Sequence, residues 1–227
     1  MSIGIIAKEG YKFFIYFIVL STIFFSMSVY LPCSSIIICN INKVLSFVFC
    51  FLAFFSLLFF RNPKRKTPED SKFVISPADG KIVQIKKNDN DYTGNESTIV
   101  SVFMSVFNVH INKNPISGIV EKIEYSKGSF MNAAFEEASL KNEQNRVYIN
   151  GDIKLVVVQI AGLIARRIKC FVKVNENIKK GDYLGLIQFG SRLDITMPKN
   201  VIINVKIGDK VKAGYSILGE IGEISNK

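Results

Sequence analysis

The sequence contains no tryptophan, a single histidine and four cysteines among its 227 residues. Four cysteines are too few for a disulfide scaffold in a chain of this length, and one histidine is poor support for a metal site, which needs several ligands. Only 15 glycines and 6 prolines are present, which excludes collagen-like and low-complexity chains. The chain is 48% hydrophobic and therefore too apolar for a disordered protein.

Charge is nearly absent from the first sixty residues, whose only charged members are Lys8, Glu9, Lys12 and Lys43. Residues 13–31 form an uncharged run of 19 residues. A helix of that length covers about 28 Å, close to the hydrocarbon thickness of a bilayer. Because a second apolar run follows at about 40–60, we predict that residues 1–60 are a membrane anchor formed by a helical hairpin. One span followed by an interfacial helix stays open, whereas a signal peptide is disfavoured by the second run.

Basic residues flank both ends of the predicted hairpin. They are Lys8 and Lys12 before it, and Arg61, Lys64, Arg65 and Lys66 after it. By the positive-inside rule, both ends lie in the cytoplasm, and the same charges attract anionic lipid headgroups. We therefore expect an inner-membrane protein whose remaining residues, 61–227, form a domain facing the cytoplasm. We assign no disulfide and no metal to any of the cysteines.

Beyond the anchor, the pattern changes to short runs rich in Val and Ile, bounded by Gly, Asn, Asp and Lys. Such spacing predicts an all-β barrel or sandwich. Residues 77–85 resemble residues 115–123, and residues 174–181 resemble residues 207–214. The predicted fold is therefore mainly β, a duplicated barrel-sandwich-like domain preceded by the α-helical transmembrane hairpin. Residues 131–144, rich in Ala, Glu, Leu and Lys, are expected to form a helix or a long loop.

Three residues could together supply an acid, a base and a nucleophile, namely Asp79, His110 and Ser191. Histidine suits proton transfer near neutral pH, although a lone histidine at the end of an apolar strand is more often a buried core residue. The Pro-x-Asp-Gly segment around Asp79 is typical of a turn, and the Gly-Ser pair at Ser191 has almost no specificity alone. The residue types therefore do not show whether the three side chains meet.

Several longer segments resemble the phosphatidylserine decarboxylases, in their short bacterial form. They are Ser76-Pro-Ala-Asp-Gly-Lys-Ile82, Phe103-Met-Ser-Val-Phe-Asn-Val-His-Ile-Asn112 and Gly185-Leu-Ile-Gln-Phe-Gly-Ser-Arg-Leu-Asp194. Two further segments also resemble that family, Ile160-Ala-Gly-Leu-Ile-Ala-Arg-Arg-Ile168 and Lys141-Asn-Glu143. Together the segments cover most of residues 61–227 in the expected order.

The resemblance implies a self-processing enzyme that is cut between Gly190 and Ser191. The large chain would be residues 1–190 and the small chain residues 191–227, and the two would form a heterodimer. Ser191 attacks the carbonyl of Gly190, His110 takes the hydroxyl proton, and Asp79 orients His110. β-Elimination then leaves a pyruvoyl group, derived from Ser191, at the new N-terminus.

The resemblance also implies a reaction. The pyruvoyl group is the cofactor, without a metal or pyridoxal phosphate, and forms a Schiff base with phosphatidylserine in the membrane. Loss of carbon dioxide yields phosphatidylethanolamine. Some relatives carry a second histidine where this chain has Phe107, so we expect His110 to act as both base and acid. Arg166 and Arg167 are candidate contacts for the substrate phosphate, with solvent-exposed charges as the simpler interpretation. The oligomeric state stays open.

Two other classes of function compete with the enzyme. Met197-Pro-Lys199, followed by residues 208–214, resembles the neighbourhood of a biotinylated or lipoylated lysine, which makes Lys199 the candidate in a carrier domain. A non-enzymatic, membrane-anchored protein on the same fold is the second alternative. Nucleic-acid binding is disfavoured, because the net charge of +10 is spread widely and no basic stripe with interleaved aromatic residues is evident.

Overall fold

The computed structural model describes residues 4–30, 36–131, 141–162, 168–188 and 191–222. It divides into two compact units, Met1–Lys64 and Arg65–Lys227. Three of the predicted site residues, Arg166, Arg167 and Gly190, lie outside the described residues. Most of the segment predicted as a helix or long loop also lies outside them.

The first unit contains two helices, α1 (Lys8–Tyr30) and α2 (Ile36–Phe59). Both are long and apolar enough to cross a membrane. The side chains buried between them are mostly small, and Ser21 Oγ donates to the carbonyl of Ser46 (2.9 Å) while Ser46 Oγ donates to that of Ser21 (3.0 Å). Small residues and interhelical hydrogen bonds let helices approach closely in lipid. Two apolar helices packed on each other are therefore present where the hairpin was predicted, and their crossing of the membrane stays a prediction.

The cysteines differ from the prediction in one respect. Cys39, near the start of α2, is disulfide-bonded, whereas Cys50 and Cys170 are free thiols. The prediction placed Cys39 and Cys50 in or beside the spans and Cys170 in a reducing compartment. Cys39 lies at the end of the helix pair opposite the ends that carry the basic residues.

The second unit is built from strands, as predicted. Among the described residues there are fourteen, β1 (Phe73–Ile75), β2 (Gly80–Asn90), β3 (Gly94–Met104), β4 (Ile111–Lys113), β5 (Gly118–Ser126), β6 (Gln144–Asn150), β7 (Lys154–Ile160), β8 (Ile168–Cys170), β9 (Asn177–Ile178), β10 (Tyr183–Ile187), β11 (Ser191–Met197), β12 (Val201–Ile203), β13 (Lys210–Val211) and β14 (Ile217–Ile221). The strand pairs within the three sheets are antiparallel.

The strand order shows the duplication. The large sheet has the order β13-β2-β3-β11-β7-β6-β5-β9, and two three-stranded sheets have the orders β1-β14-β12 and β4-β10-β8. The short strand β13 pairs with β2 as β9 pairs with β5, and Gly80 and Gly118 begin the two longer strands. Gly181 and Gly214 take the left-handed φ values of 81° and 74° in equivalent turns before β10 and β14. The predicted sequence repeats therefore correspond to equivalent strands.

Strand β11 lies in the middle of the large sheet, between β3 and β7. Its side chains alternate between two faces. Leu193, Ile195 and Met197 belong to the hydrophobic core, whereas Arg192, Asp194 and Thr196 line a groove of about 340 Å³ on the other face. By this alternation, Ser191 lies on the core side, and its side chain is fully buried.

Candidate active site

Two of the predicted site residues come at the ends of the strands that flank β3. Ser191, the first residue of β11, lies directly opposite Met104, the last residue of β3. Asp79 comes immediately before β2, the other neighbour of β3. Strands β2 and β3 approach closely here, as a Cβ on Gly80 would lie only 2.1 Å from the carbonyl oxygen of Phe103. Glycine at this position thus places Asp79 beside the same strand end as Ser191.

A turn after β3 positions the third residue, His110. The amide of Asn108 donates to the carbonyl of Ser105 (2.9 Å), and the Asn108 side chain accepts from the amide of Ser105 (2.9 Å). The chain then leads through His110 into β4, and the amide of Ile187 donates to the His110 carbonyl (3.4 Å). His110 thus follows the end of β3 by six residues along the chain, and its main chain is tied to the end of β10.

Ser191 is a buried hydroxyl with unused hydrogen-bonding capacity. Its side chain is fully buried, and its Oγ has no hydrogen-bond partner among the described residues. A buried polar group without a partner costs about 1–3 kcal/mol, and such groups in folded proteins call for an explanation. Within the described residues, the Ser191 hydroxyl is not hydrogen-bonded to His110 or to any other group.

His110 is fully buried, and its Nδ1 lies 2.9 Å from the main-chain carbonyl oxygen of Asn108. A carbonyl oxygen only accepts hydrogen bonds, so Nδ1 carries the proton in the neutral ring. The basic lone pair is then on Nε2. The local turn thus sets the tautomer that a general base requires.

Asp79 is bound by the side chain of Arg65 and by the main chain at Ala213. Both carboxylate oxygens bind the guanidinium of Arg65, through Nη1 to Oδ1 and Nη2 to Oδ2, the latter at 2.8 Å. The amide of Ala213 also donates to Oδ1 (2.7 Å). A guanidinium matches the two oxygens of a carboxylate, which makes this a two-pronged ion pair. The expected role of Asp79 in orienting His110 stays a prediction.

Sequence reasoning missed a chain of buried side-chain amides on the core side of the sheet. Asn145 Nδ2 donates to Gln159 Oε1 (3.0 Å), and Gln159 Nε2 donates to Asn112 Oδ1 (2.8 Å). Gln159 and Asn112 are fully buried, and Asn145 nearly so. The available signal was Gln159 itself, a polar residue at a core-facing position between Val157 and Ala161.

Lys113, in β4, was also not singled out. Its ammonium lies 3.6 Å from the centre of the Tyr183 ring. Burial lowers the pKa of Lys113 to about 8, with nearby Arg65 acting in the same direction and Asp182 opposing it. The amide of Lys113 donates to the carbonyl of Pro77 (2.9 Å), so β4 is joined to the loop that carries Asp79.

Arg192 and Lys199, two further charged residues near β11, lie in contrasting environments, one buried and one exposed. Arg192 faces the groove, where it is almost fully buried and bonds Asp194 (2.6 Å) and Gln84 (2.6 Å). Lys199, the candidate of the carrier interpretation, is highly exposed in the turn between β11 and β12 and lies 3.8 Å from Glu96. Arg192 thus holds β11 in place, and Lys199 lies on the surface.

Comparisons with known proteins identify the family. The sequence model of the family described as phosphatidylserine decarboxylase matches residues 51–219. The phosphatidylserine decarboxylase proenzyme of Desulfotalea psychrophila is 45% identical over 182 residues, which cover 79% of this chain and 85% of the relative. That of Citrifermentans bemidjiense is 42% identical over 216 residues, covering 94% and 95%. That of Syntrophus aciditrophicus is 47% identical over 168 residues, covering 73% and 79%. The chain belongs to the phosphatidylserine decarboxylase family and is a carboxy-lyase.

Proposed function

We propose that this enzyme converts phosphatidylserine to phosphatidylethanolamine and carbon dioxide, using a pyruvoyl group made from its own Ser191. The relatives are named as proenzymes of phosphatidylserine decarboxylase, which supports both the substrate and a processing step. The observation that carries the proposal is the fully buried Ser191 Oγ, without a partner among the described residues, at the first residue of β11.

Cleavage of the chain uses its own groups, and water enters only in the last step. Ser191 Oγ adds to the carbonyl carbon of Gly190 as His110 Nε2 takes the hydroxyl proton, and the C–N bond then breaks as His110 passes that proton to the Ser191 nitrogen, leaving an ester and a free amine. Removal of the Ser191 Cα proton expels the Gly190 carboxylate by breaking the Cβ–O bond. Tautomerisation, addition of water and loss of ammonia leave the pyruvoyl group on the small chain.

The surroundings of Ser191 fit such a group. Residue 191 lies on the core side of β11 and is fully buried, so its carbonyl would be shielded from bulk water. When formed, the pyruvoyl group supplies a carbonyl that accepts the substrate amine and withdraws electrons from the bond to the carboxylate. His110, with its proton on Nδ1 and its lone pair on Nε2, is the proposed proton carrier for the reaction.

Asp79 acts in this proposal as a positioning residue. Its carboxylate joins Arg65 to the turn at Ala213, because Arg65 Nη1 donates to the Ala213 carbonyl (2.9 Å) and the Ala213 amide donates to Asp79 (2.7 Å). These contacts fix the loop before β2 against the small-chain part of the fold. The strand end beside Ser191 is thereby held in one position.

The two chains are proposed to remain together after cleavage. Strand β11 would begin the small chain, and it is hydrogen-bonded to β3 and β7 of the large chain on both sides. Strands β13 and β14, also of the small chain, pair with β2 and β1. Cutting before Ser191 breaks one peptide bond and leaves these ladders intact.

The membrane location follows from the hairpin. We propose an inner-membrane protein with its catalytic unit in the cytoplasm, as the positive-inside rule indicates. The disulfide at Cys39 supports that orientation, because the loop end of the hairpin would then lie in the oxidising compartment. A tethered enzyme works on a surface where a phospholipid substrate is already concentrated. Arg166 and Arg167 remain the proposed phosphate contacts.

Intact-mass measurement of the purified full chain tests the proposal, with Ser191→Ala as the control. We expect two fragments split at Gly190, the smaller carrying a carbonyl in place of the amine, and carbon dioxide release from phosphatidylserine vesicles. A modified Lys199 on an intact chain would favour the carrier interpretation. An intact, unmodified chain would favour a binding protein and would overturn the proposal.

A further inference from the structure

The direction of the buried amide chain is fixed by its hydrogen bonds. Asn145 donates to the oxygen of Gln159, so the Gln159 nitrogen points away and donates to the oxygen of Asn112. Because the Asn112 oxygen is occupied by this donor, its Nδ2 group must point to the opposite side. The three residues thus aim one N–H donor in a set direction.

That donor lacks a strong acceptor. The nearest partner of Asn112 Nδ2 within the described residues is the thioether sulfur of Met104, at 3.8 Å. A thioether is only a weak acceptor, and Asn112 is fully buried, so water does not replace it. A buried amide whose donors go largely unused needs an explanation.

The position of Met104 supplies one. Met104 lies directly opposite Ser191 in the antiparallel pair of β3 and β11. Side chains of such partners point to the same face and have their Cβ atoms about 4.5–5.5 Å apart. The Asn112 donor therefore contacts the side chain of the residue that faces Ser191 across the two strands.

We propose that Asn112 is a further catalytic residue, whose Nδ2 donates a hydrogen bond to the oxyanion of the self-cleavage step. When Ser191 Oγ bonds to the preceding carbonyl carbon, the π electrons of that carbonyl move onto its oxygen while the hydroxyl proton goes to His110. The negative oxygen needs a donor until the C–N bond breaks and the carbonyl re-forms. This inference rests on the proposed self-cleavage.

The amide chain holds the Asn112 donor in the orientation that would stabilise the oxyanion. A donor held in advance in a water-excluded site stabilises developing charge without reorganising at the moment of reaction. Gln159 and Asn145 provide that preparation, because they prevent the Asn112 amide from rotating to present its oxygen.

The test measures the rate of self-cleavage in full-length chains made by cell-free synthesis in the presence of lipid vesicles. The Asn112→Ala chain should be cleaved about 10²–10³-fold more slowly than the unaltered chain, the usual effect of removing one oxyanion donor. Asn114→Ala is the matched control, because Asn114 is a buried asparagine two residues away whose amide donates to the Lys179 carbonyl (3.2 Å).

Folding and catalysis are separated by a second variant. In Asn112→Leu/Gln159→Leu/Asn145→Leu all three amides of the chain become apolar, which is tolerated better than leaving one buried polar group without its partner. This variant should retain a cooperative thermal transition and still be cleaved slowly. Normal cleavage of either altered chain would overturn the inference.

Hydroxylamine identifies the affected step, since it cuts esters but not amides. If Asn112 assists the addition step, the altered chain accumulates no ester, and hydroxylamine does not accelerate its cleavage. Rapid cutting by hydroxylamine would place the defect after ester formation and overturn the assignment. Failure of the unaltered chain to cleave would instead refute the proposed function itself.

Discussion

Arg65 and Asp79 form a two-pronged ion pair in which Nη2 lies 2.8 Å from Oδ2. In the sequence, Arg65 belongs to a basic cluster expected at the membrane surface. In the fold, its side chain is only 18% exposed and is directed to the loop that precedes β2. One charge of that cluster therefore has a structural partner inside the catalytic unit.

Replacing Arg65 should slow self-cleavage and destabilise the catalytic unit. Arg65→Leu leaves the Asp79 carboxylate without its guanidinium, a loss of about 1.5–3 kcal/mol for hydrogen bonds to a charged group. The control is Lys66→Gln, which alters an exposed member of the same cluster. Cleavage time courses and thermal unfolding measure the two effects. Equal behaviour of the two variants would show that the pair does not position the site.

Changes at Ser191 should separate nucleophilicity from folding. Ser191→Ala should remain a single chain and release no carbon dioxide, because no hydroxyl is available to attack. Since the Oγ has no partner in the described structure, this variant should lose no stability relative to other uncleaved variants. Ser191→Cys should be cut, because a thiol can make the same acyl shift. Intact mass and thermal unfolding check each outcome.

His110 is predicted to act without a second histidine. His110→Ala should slow both self-cleavage and decarboxylation. Loss of a general base lowers a rate by about 10²–10⁴-fold. Phe107, where some relatives carry histidine, is 68% exposed. We therefore expect His110→Ala/Phe107→His to stay inactive and Phe107→His alone to keep its activity. Normal turnover by His110→Ala would remove the histidine from the mechanism.

Lys113 should make stability rise with pH in the alkaline range. Its pKa is lowered to about 8 in the fold from an ordinary value of 10.5. Between these values the unfolded chain binds more protons, so this residue's contribution to stability grows as pH rises. The comparison is Lys113→Met, which keeps the apolar stem but cannot titrate. Unfolding curves of uncleaved Ser191→Ala chains with and without this change should diverge with pH, and parallel curves would contradict the lowered pKa.

The small chain should stay bound after cleavage. Because β11 is hydrogen-bonded to strands on both sides, the two fragments should comigrate in a native gel and separate only in denaturant. Mass analysis of the native band, with the Ser191→Ala chain alongside, checks this expectation. Release of residues 191–227 under native conditions would contradict the proposed heterodimer.

Local patterns were enough to predict the elements of this protein. The two helices follow from two apolar runs of membrane-spanning length, because a helix that crosses the bilayer needs about 20 consecutive apolar residues. The duplicated β fold follows from repeated turns, and Gly80 and Gly118 begin equivalent strands. Ser191 and His110 were identified as site residues through the family resemblance, which rests on matching segments in the expected order along the chain.

The surroundings of the site depended on the tertiary structure. Asn112 and Gln159 are 47 positions apart, and no periodicity links them. Arg65 sits in a run of basic residues that looks uniform, and only the fold pairs one member with Asp79. Sequence patterns indicate whether each residue is buried or exposed, because successive side chains of a strand point to opposite faces of the sheet. Which buried polar groups meet depends instead on strand order and register, which only the folded chain establishes.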